Sequence, residues 1–94
     1  MHRYEDKSGK SGVELYGYNK NQIIVKFKTQ SEYYVYTRRS ASGEHLAAMK
    51  TIAVDGQGLG GYISKHVHFG YEYLFNSLTG KKTPNPHLPY VPKL

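Results

Sequence analysis

The fold is decided by residues 23–38, which read Ile-Ile-Val-Lys-Phe-Lys-Thr-Gln-Ser-Glu-Tyr-Tyr-Val-Tyr-Thr-Arg. β-Branched and aromatic residues, which are frequent in strands, fill both ends of this stretch. The three residues between them, Thr29, Gln30 and Ser31, are short and polar and favour a turn. The stretch therefore predicts a β-hairpin.

The register of this hairpin decides which tyrosines reach the core. A two-residue loop at Gln30 and Ser31 pairs Phe27 with Tyr34 and is the register that we prefer. A change of one residue in loop length would instead pair Phe27 with Tyr33 and reverse the faces of the second strand. In the preferred register the core face carries Ile23, Val25, Phe27, Tyr34 and Tyr36, and the other face carries Ile24, Lys26, Lys28, Tyr33, Val35 and Thr37.

The rest of the chain predicts an α+β domain, with a short antiparallel meander of about three strands packed against two helices. Residues 13–18 alternate as a first strand, with Leu15 in the core. A helix is predicted from an N-cap at Ser42 to about Val54, with a buried stripe of Leu46, Met49 and Ala53. A second helix is predicted over residues 61–69, and residues 71–75 form a closing strand or a packed extension.

The two ends of the chain differ in composition from residues 13–76, which we assign to the single domain. Residues 1–12 are polar and predict a flexible lead-in. Residues 77–94 contain four prolines and predict an extended tail. No apolar run approaches the length of a membrane span, and the N-terminus lacks the apolar segment of a signal peptide. We therefore expect a soluble, cytoplasmic protein.

Composition limits the chemistry. The chain has 94 residues, no cysteine and a formal charge of +6. The length allows one modest core, and the absence of cysteine excludes disulfides and thiolate metal sites. The positive charge favours polyanions, above all nucleic acid. Surplus lysine that serves solubility is an equally weighted alternative.

Residues 56–61 match the dinucleotide pattern G-x-G-x-x-G, but their context does not fit it. A nucleotide-binding loop follows a buried strand and precedes an acidic residue about 20 positions later. Here Lys81 and Lys82 stand near that position. We therefore interpret these glycines as the end of one helix, with positive φ, and the close start of the next.

With these elements placed, the order of residues resembles the KTSC domain, a short module that also occurs at the C-terminus of some lysyl-tRNA synthetases. The resemblance covers about residues 18–73. It rests on residues 23–27, on Tyr34-Val35-Tyr36 and on residues 60–68 followed by Tyr71. The family usually has serine, asparagine and arginine where this chain has Gly58, Ser64 and His68. The resemblance implies a small α+β module without known enzyme activity, for which RNA binding has been suggested.

The residues themselves favour a non-enzymatic module that binds RNA or single-stranded DNA with weak sequence specificity, and RNA is our first choice. Lysine neutralises phosphate without reading bases, a tyrosine can stack an unpaired base, and backbone N–H groups at a helix start attract phosphate. The candidate binding residues are Lys26, Lys28, Tyr33, Gly61, Ser64, Lys65 and His68.

Other functions find less support in the sequence. The candidate catalytic residues Ser64, His66, His68, Asp55 and Glu72 show no nucleophile-and-base motif, and His66 lies on the apolar side of its helix, where a core histidine is expected. Two histidines at 66 and 68 lack a third metal ligand, so we predict no metal and no cofactor. The alternative function is protein interaction through an exposed sheet edge or the proline-rich tail.

Overall fold

The computed structural model describes all 94 residues and shows an α+β fold with one open antiparallel sheet. The sheet has six strands in the order of the sequence, and three helices follow β4. The structure therefore has more strands and one more helix than the expected meander of about three strands packed against two helices. The elements are β1 His2–Arg3, β2 Val13–Tyr18, β3 Gln22–Phe27, β4 Tyr33–Thr37, α1 Arg38–Ala41, α2 Gly43–Asp55, α3 Leu59–His66, β5 Tyr73–Phe75 and β6 Lys82–Pro84.

The central hairpin forms, but its preferred register is wrong by two residues. Val25 lies opposite Tyr34, and Ile23 lies opposite Tyr36. The loop is longer than predicted, because the Gln30 N–H donates to the Phe27 carbonyl at 3.2 Å and residues 28–32 lie outside both strands. A shift of two residues preserves the faces, so Ile23, Val25 and Tyr36 are buried as predicted.

The helices cover the face of the sheet that carries these buried side chains. Leu46, Met49 and Ala53 of α2 are buried in the same cluster as Ile23 and Val25, which confirms the predicted stripe. The Ser42 side chain accepts from the His45 N–H, as an N-cap should. Phe27, Tyr34 and Tyr71 pack edge to face around the margin of this core.

The glycine-rich link between α2 and α3 behaves as predicted. Gly56 and Gly58 have φ values of 80° and 94°, which side chains rarely adopt. Gly56 ends α2, and α3 begins at Leu59, two residues earlier than expected, and ends at His66. A side chain on Gly56 would also collide with Glu5, since a Cβ there would lie 2.7 Å from the Glu5 Cβ.

A β-bulge in β2 overturns the assignment of Leu15 to the core. Val13 lies opposite Phe27, but Leu15 lies opposite Lys26, so Glu14 is an extra residue in the strand. One inserted residue moves every later side chain to the other face. Val13 is therefore buried in the core, and Leu15 lies on the face that the helices do not cover.

The first twelve residues pack on the domain instead of forming a flexible lead-in. Tyr4 is 4 % exposed and belongs to the core cluster. Its hydroxyl accepts the N–H of Leu59, the first residue of α3, at 3.1 Å. Lys7 N–H donates to the Gly56 carbonyl at 2.8 Å. The burial of one tyrosine and two hydrogen bonds, which a composition argument cannot weigh, thus hold the segment to the helices.

The last 18 residues also return to the domain instead of forming only an extended tail. They include β6, and Asn85 is buried and donates to the carbonyls of Phe69 and Tyr71 at 2.8 Å each. Farther on, the Tyr90 hydroxyl donates to the Glu72 carboxylate at 3.2 Å.

None of the helices has the length and apolar character that a membrane span requires.

We predict that Tyr4→Phe lowers the free energy of unfolding by about 1–2 kcal/mol, because it leaves the buried N–H of Leu59 without an acceptor. Tyr18→Phe is the matched control, since the Tyr18 side chain is 48 % exposed and its change should stay within about 0.5 kcal/mol. Urea unfolding of both variants measures the difference. Equal stabilities would contradict the role of the Tyr4 hydroxyl.

Candidate nucleic-acid interface

One face of the sheet has no helix over it, and we call it the open face. Residues that lie opposite one another across paired strands share a face, so the strand registers define it as two adjacent rows. The first row is Arg3, Leu15, Lys26, Tyr33, Phe75 and Lys82, and the second is Gly17, Ile24, Val35, Tyr73 and Pro84.

The open face combines aromatic rings with positive charge. Tyr33 lies directly opposite Phe75, and Tyr73 is in the adjacent row. The Lys82 ammonium lies 5.2 Å from the centre of the Tyr73 ring, within range of a cation–π interaction. All three rings are half-buried. The two rows contain three cationic side chains and no acidic one, an arrangement suited to a stacked and negatively charged ligand.

The structure brings together two of the predicted sheet residues and separates the third. Lys26 lies opposite Tyr33 on the open face. Lys28 lies just beyond the end of β3, and its ammonium is bound to Asp6 at 3.0 Å. The Lys26 ammonium is also occupied, because it donates to Glu14 at 2.6 Å. Both lysines thus have carboxylate partners that the sequence analysis did not assign.

The remaining predicted residues belong to the helix layer, on the other side of the sheet. Gly61 and Lys65 line a shallow hollow of about 350 Å³ beside Gln57, whereas Ser64 is exposed but does not line it. His68 follows α3 and packs against the exposed ring of Phe69. The seven predicted residues therefore lie partly on the sheet and partly in the helix layer, and no single surface joins them.

Four residues of the open face were missed by sequence reasoning: Arg3, Tyr73, Phe75 and Lys82. They lie in β1, β5 and β6, which are two or three residues long. The alternation of Tyr71, Tyr73 and Phe75 was a usable signal for β5. No comparable signal marked β1 and β6, because strands of two and three polar or proline residues show no apolar periodicity to detect.

The candidate catalytic residues are separated or engaged elsewhere. Asp55 pairs with Lys7 at the surface. The Glu72 carboxylate accepts from Thr37, Arg39 and Tyr90, so it is already bound by three donors.

His66 is exposed, which overturns its expected place in the core. The centre of its ring lies 4.6 Å from the centre of the Tyr62 ring and 5.8 Å from the centre of the His45 ring. The cause is that α3 buries Leu59 and Ile63, one turn apart, and turns His66 outward. No cluster of three or more histidine, cysteine or acidic side chains is arranged to hold a metal ion.

Comparison of the chain with family models, curated proteins and solved structures finds no match. The resemblance to the KTSC domain therefore stays a prediction.

The ion pairs of Asp6 and Glu14 predict a loss of stability in acid. Hydrogen bonds and charge from Lys28 lower the pKa of Asp6 below its ordinary 3.8, and those from Lys26 lower the pKa of Glu14 below 4.5. Because the folded pKa values are lowered, the stabilisation is fully present above these ordinary values and is lost as the pH falls through the folded ones.

We expect Asp6→Asn to be less stable than the unmodified chain at pH 6, and the difference to shrink as the pH falls below 3.8, the ordinary pKa of the carboxyl group. Urea unfolding at several pH values measures it. A stability difference that is independent of pH would show that the Asp6 carboxylate charge is not what matters.

Proposed function

We propose that this protein is a non-enzymatic module that binds single-stranded nucleic acid, with RNA as the first-choice ligand, on the open face of its sheet. The observation that carries the proposal is the placement of Tyr33, Phe75 and Tyr73 on the same face as Arg3, Lys26 and Lys82, a face without helices. The basic composition of the chain supports the same conclusion.

Physical chemistry gives each residue type a role. Aromatic rings on a sheet stack unpaired bases, and this is how several sheet-based modules bind RNA. Lysine and arginine neutralise phosphates without reading the base, so binding should depend weakly on sequence and strongly on salt. Six strands spaced about 4.8 Å apart span about 24 Å, enough for about four nucleotides, the lower end of the range for single-strand binders.

The resemblance to the KTSC domain agrees with this proposal, since RNA binding has been suggested for that family. A cytoplasmic location, where single-stranded RNA is available, would also agree with the proposed function. The helix-layer residues Gly61, Ser64, Lys65 and His68 form a second, separate candidate for phosphate contact. The first donor of α3 is less suited to this role than the sequence suggested, because the Leu59 N–H already donates to Tyr4.

The alternative of protein interaction gains no support from the geometry. One edge strand, β1, has two residues, and the other, β6, carries Lys82 and ends at Pro84. Short strands, lysine and proline all oppose the addition of a partner strand. The proline-rich tail is anchored through Asn85 and Tyr90, which disfavours its docking as a free extended peptide.

We predict that Arg3→Ala/Lys82→Ala weakens binding of a labelled, mixed-sequence single-stranded RNA about tenfold or more at low salt, because two phosphate contacts are lost. Tyr33→Leu should weaken it about five- to a hundredfold, since one stacked base is worth about 1–3 kcal/mol. Fluorescence anisotropy across a salt series measures both effects. A duplex of the same sequence should bind less well, because its bases cannot stack on the sheet.

The matched control is Lys20→Ala/Lys50→Ala, which removes the same charge outside the open face and should change affinity much less. A Lys65→Ala/His68→Ala variant tests the helix layer. If only this last variant lost binding, the open face would be excluded as the site. If the unmodified chain failed to bind at low salt, the nucleic-acid function itself would be excluded.

A further inference from the structure

The β-bulge in β2 introduces a negative charge where the open face is otherwise only positive. Its extra residue is Glu14, because Val13 and Leu15 lie opposite the consecutive residues Phe27 and Lys26. Bulges redirect side chains and are frequent beside binding sites. Here the redirected side chain is the carboxylate that reaches the ammonium of Lys26.

The contact between these two side chains is short and close to solvent. The Lys26 Nζ lies 2.6 Å from the Glu14 Oε1, and the two side chains are 20 % and 42 % exposed. Arg3 and Lys28 line a hollow of about 360 Å³ that Glu14 also lines. The carboxylate therefore stands among three cations, namely Arg3 of β1, Lys26 of β3 and Lys28 just beyond β3, of which Lys28 is bound to Asp6.

Fold stability alone does not account for this arrangement. Ion pairs at a protein surface typically contribute 0–1 kcal/mol, and a bulge interrupts the strand ladder in which it lies. The position of the charge is nevertheless specific, since Lys26 lies in the middle of the first row of the open face, opposite Tyr33.

We propose that Glu14 is an internal substitute for phosphate, which occupies Lys26 in the free protein and must be displaced when nucleic acid binds. This proposal rests on the proposed function and adds a regulating residue to the same site. A carboxylate and a phosphate both accept charge-assisted hydrogen bonds from an ammonium. Binding at Lys26 is then an exchange of one anion for another, with little net gain.

This exchange makes the site selective for polymers. A ligand with a single phosphate gains little at Lys26, because it must first displace Glu14. A strand that also reaches Arg3 and Lys82 obtains its affinity from contacts that no carboxylate occupies in the structure. Glu14 therefore raises the number of phosphates that a ligand needs before it binds measurably.

The test is Glu14→Gln, which keeps the size of the side chain and removes its charge. We expect the affinity for single-stranded RNA to rise about five- to tenfold at low salt, because Lys26 becomes free to contact phosphate. The plot of log affinity against log salt should become steeper by about 0.7, the value for one additional phosphate contact on a single strand. A mononucleotide should also bind more tightly to this variant.

A thermodynamic cycle with Lys26→Ala separates the local exchange from a general charge effect. In the Lys26→Ala background, the gain from Glu14→Gln should disappear, since no ammonium is left to be released. Glu44→Gln is the charge-matched control, because Glu44 is exposed in the first turn of α2. It should raise affinity far less than Glu14→Gln.

The outcomes separate this inference from the proposed function. If RNA binds the open face but Glu14→Gln leaves the affinity and the salt slope unchanged, Glu14 is not a phosphate substitute although the function holds. A gain in RNA affinity that persists in the Lys26→Ala background, or that Glu44→Gln reproduces, would also show that Glu14 is not a phosphate substitute. If RNA does not bind any of the variants, the proposed function fails and the inference fails with it.

Discussion

Burial of one face of the β3–β4 pair under α2 is the contact on which the rest of the structure depends. Ile23, Val25 and Tyr36 are almost fully buried in one cluster with Leu46 and Met49. A chain of this size buries only about two thirds of its unfolded surface, and it has no cysteine for a disulfide. The helices pack on one side of the sheet, where the buried cluster lies, and the other side is left without a helix.

The parts of the fold that could be predicted from sequence are those with a local cause. The periodicity of Leu46, Met49 and Ala53 gave α2 and its buried side, and the alternation of residues 13–18 gave β2. The glycines at positions 56 and 58 indicated the boundary between α2 and α3. In each case the signal lies within about two turns of helix or a few neighbouring residues.

The parts that could not be predicted depend on contacts between residues far apart in the chain. The Lys28 N–H bonds to the Gly12 carbonyl, 16 positions earlier in the chain, and the bulge at Glu14 has no marker in composition. Tyr4 reaches Leu59 across 55 residues. The same limit applies to the candidate site, where Lys26 and Tyr33 were found from one hairpin, but Arg3, Phe75 and Lys82 become their neighbours only when the whole sheet is assembled.

The order of the six strands has a consequence for how the chain folds. Every strand pairs with the strands that precede and follow it in sequence, so the sheet can grow from one hairpin to the next without a crossover. The longest connection between paired strands, from β4 to β5, contains all three helices. Loop closure over a segment of this length costs entropy, and local pairings generally form faster than distant ones. We therefore expect the β2–β3–β4 meander to form before β4 pairs with β5.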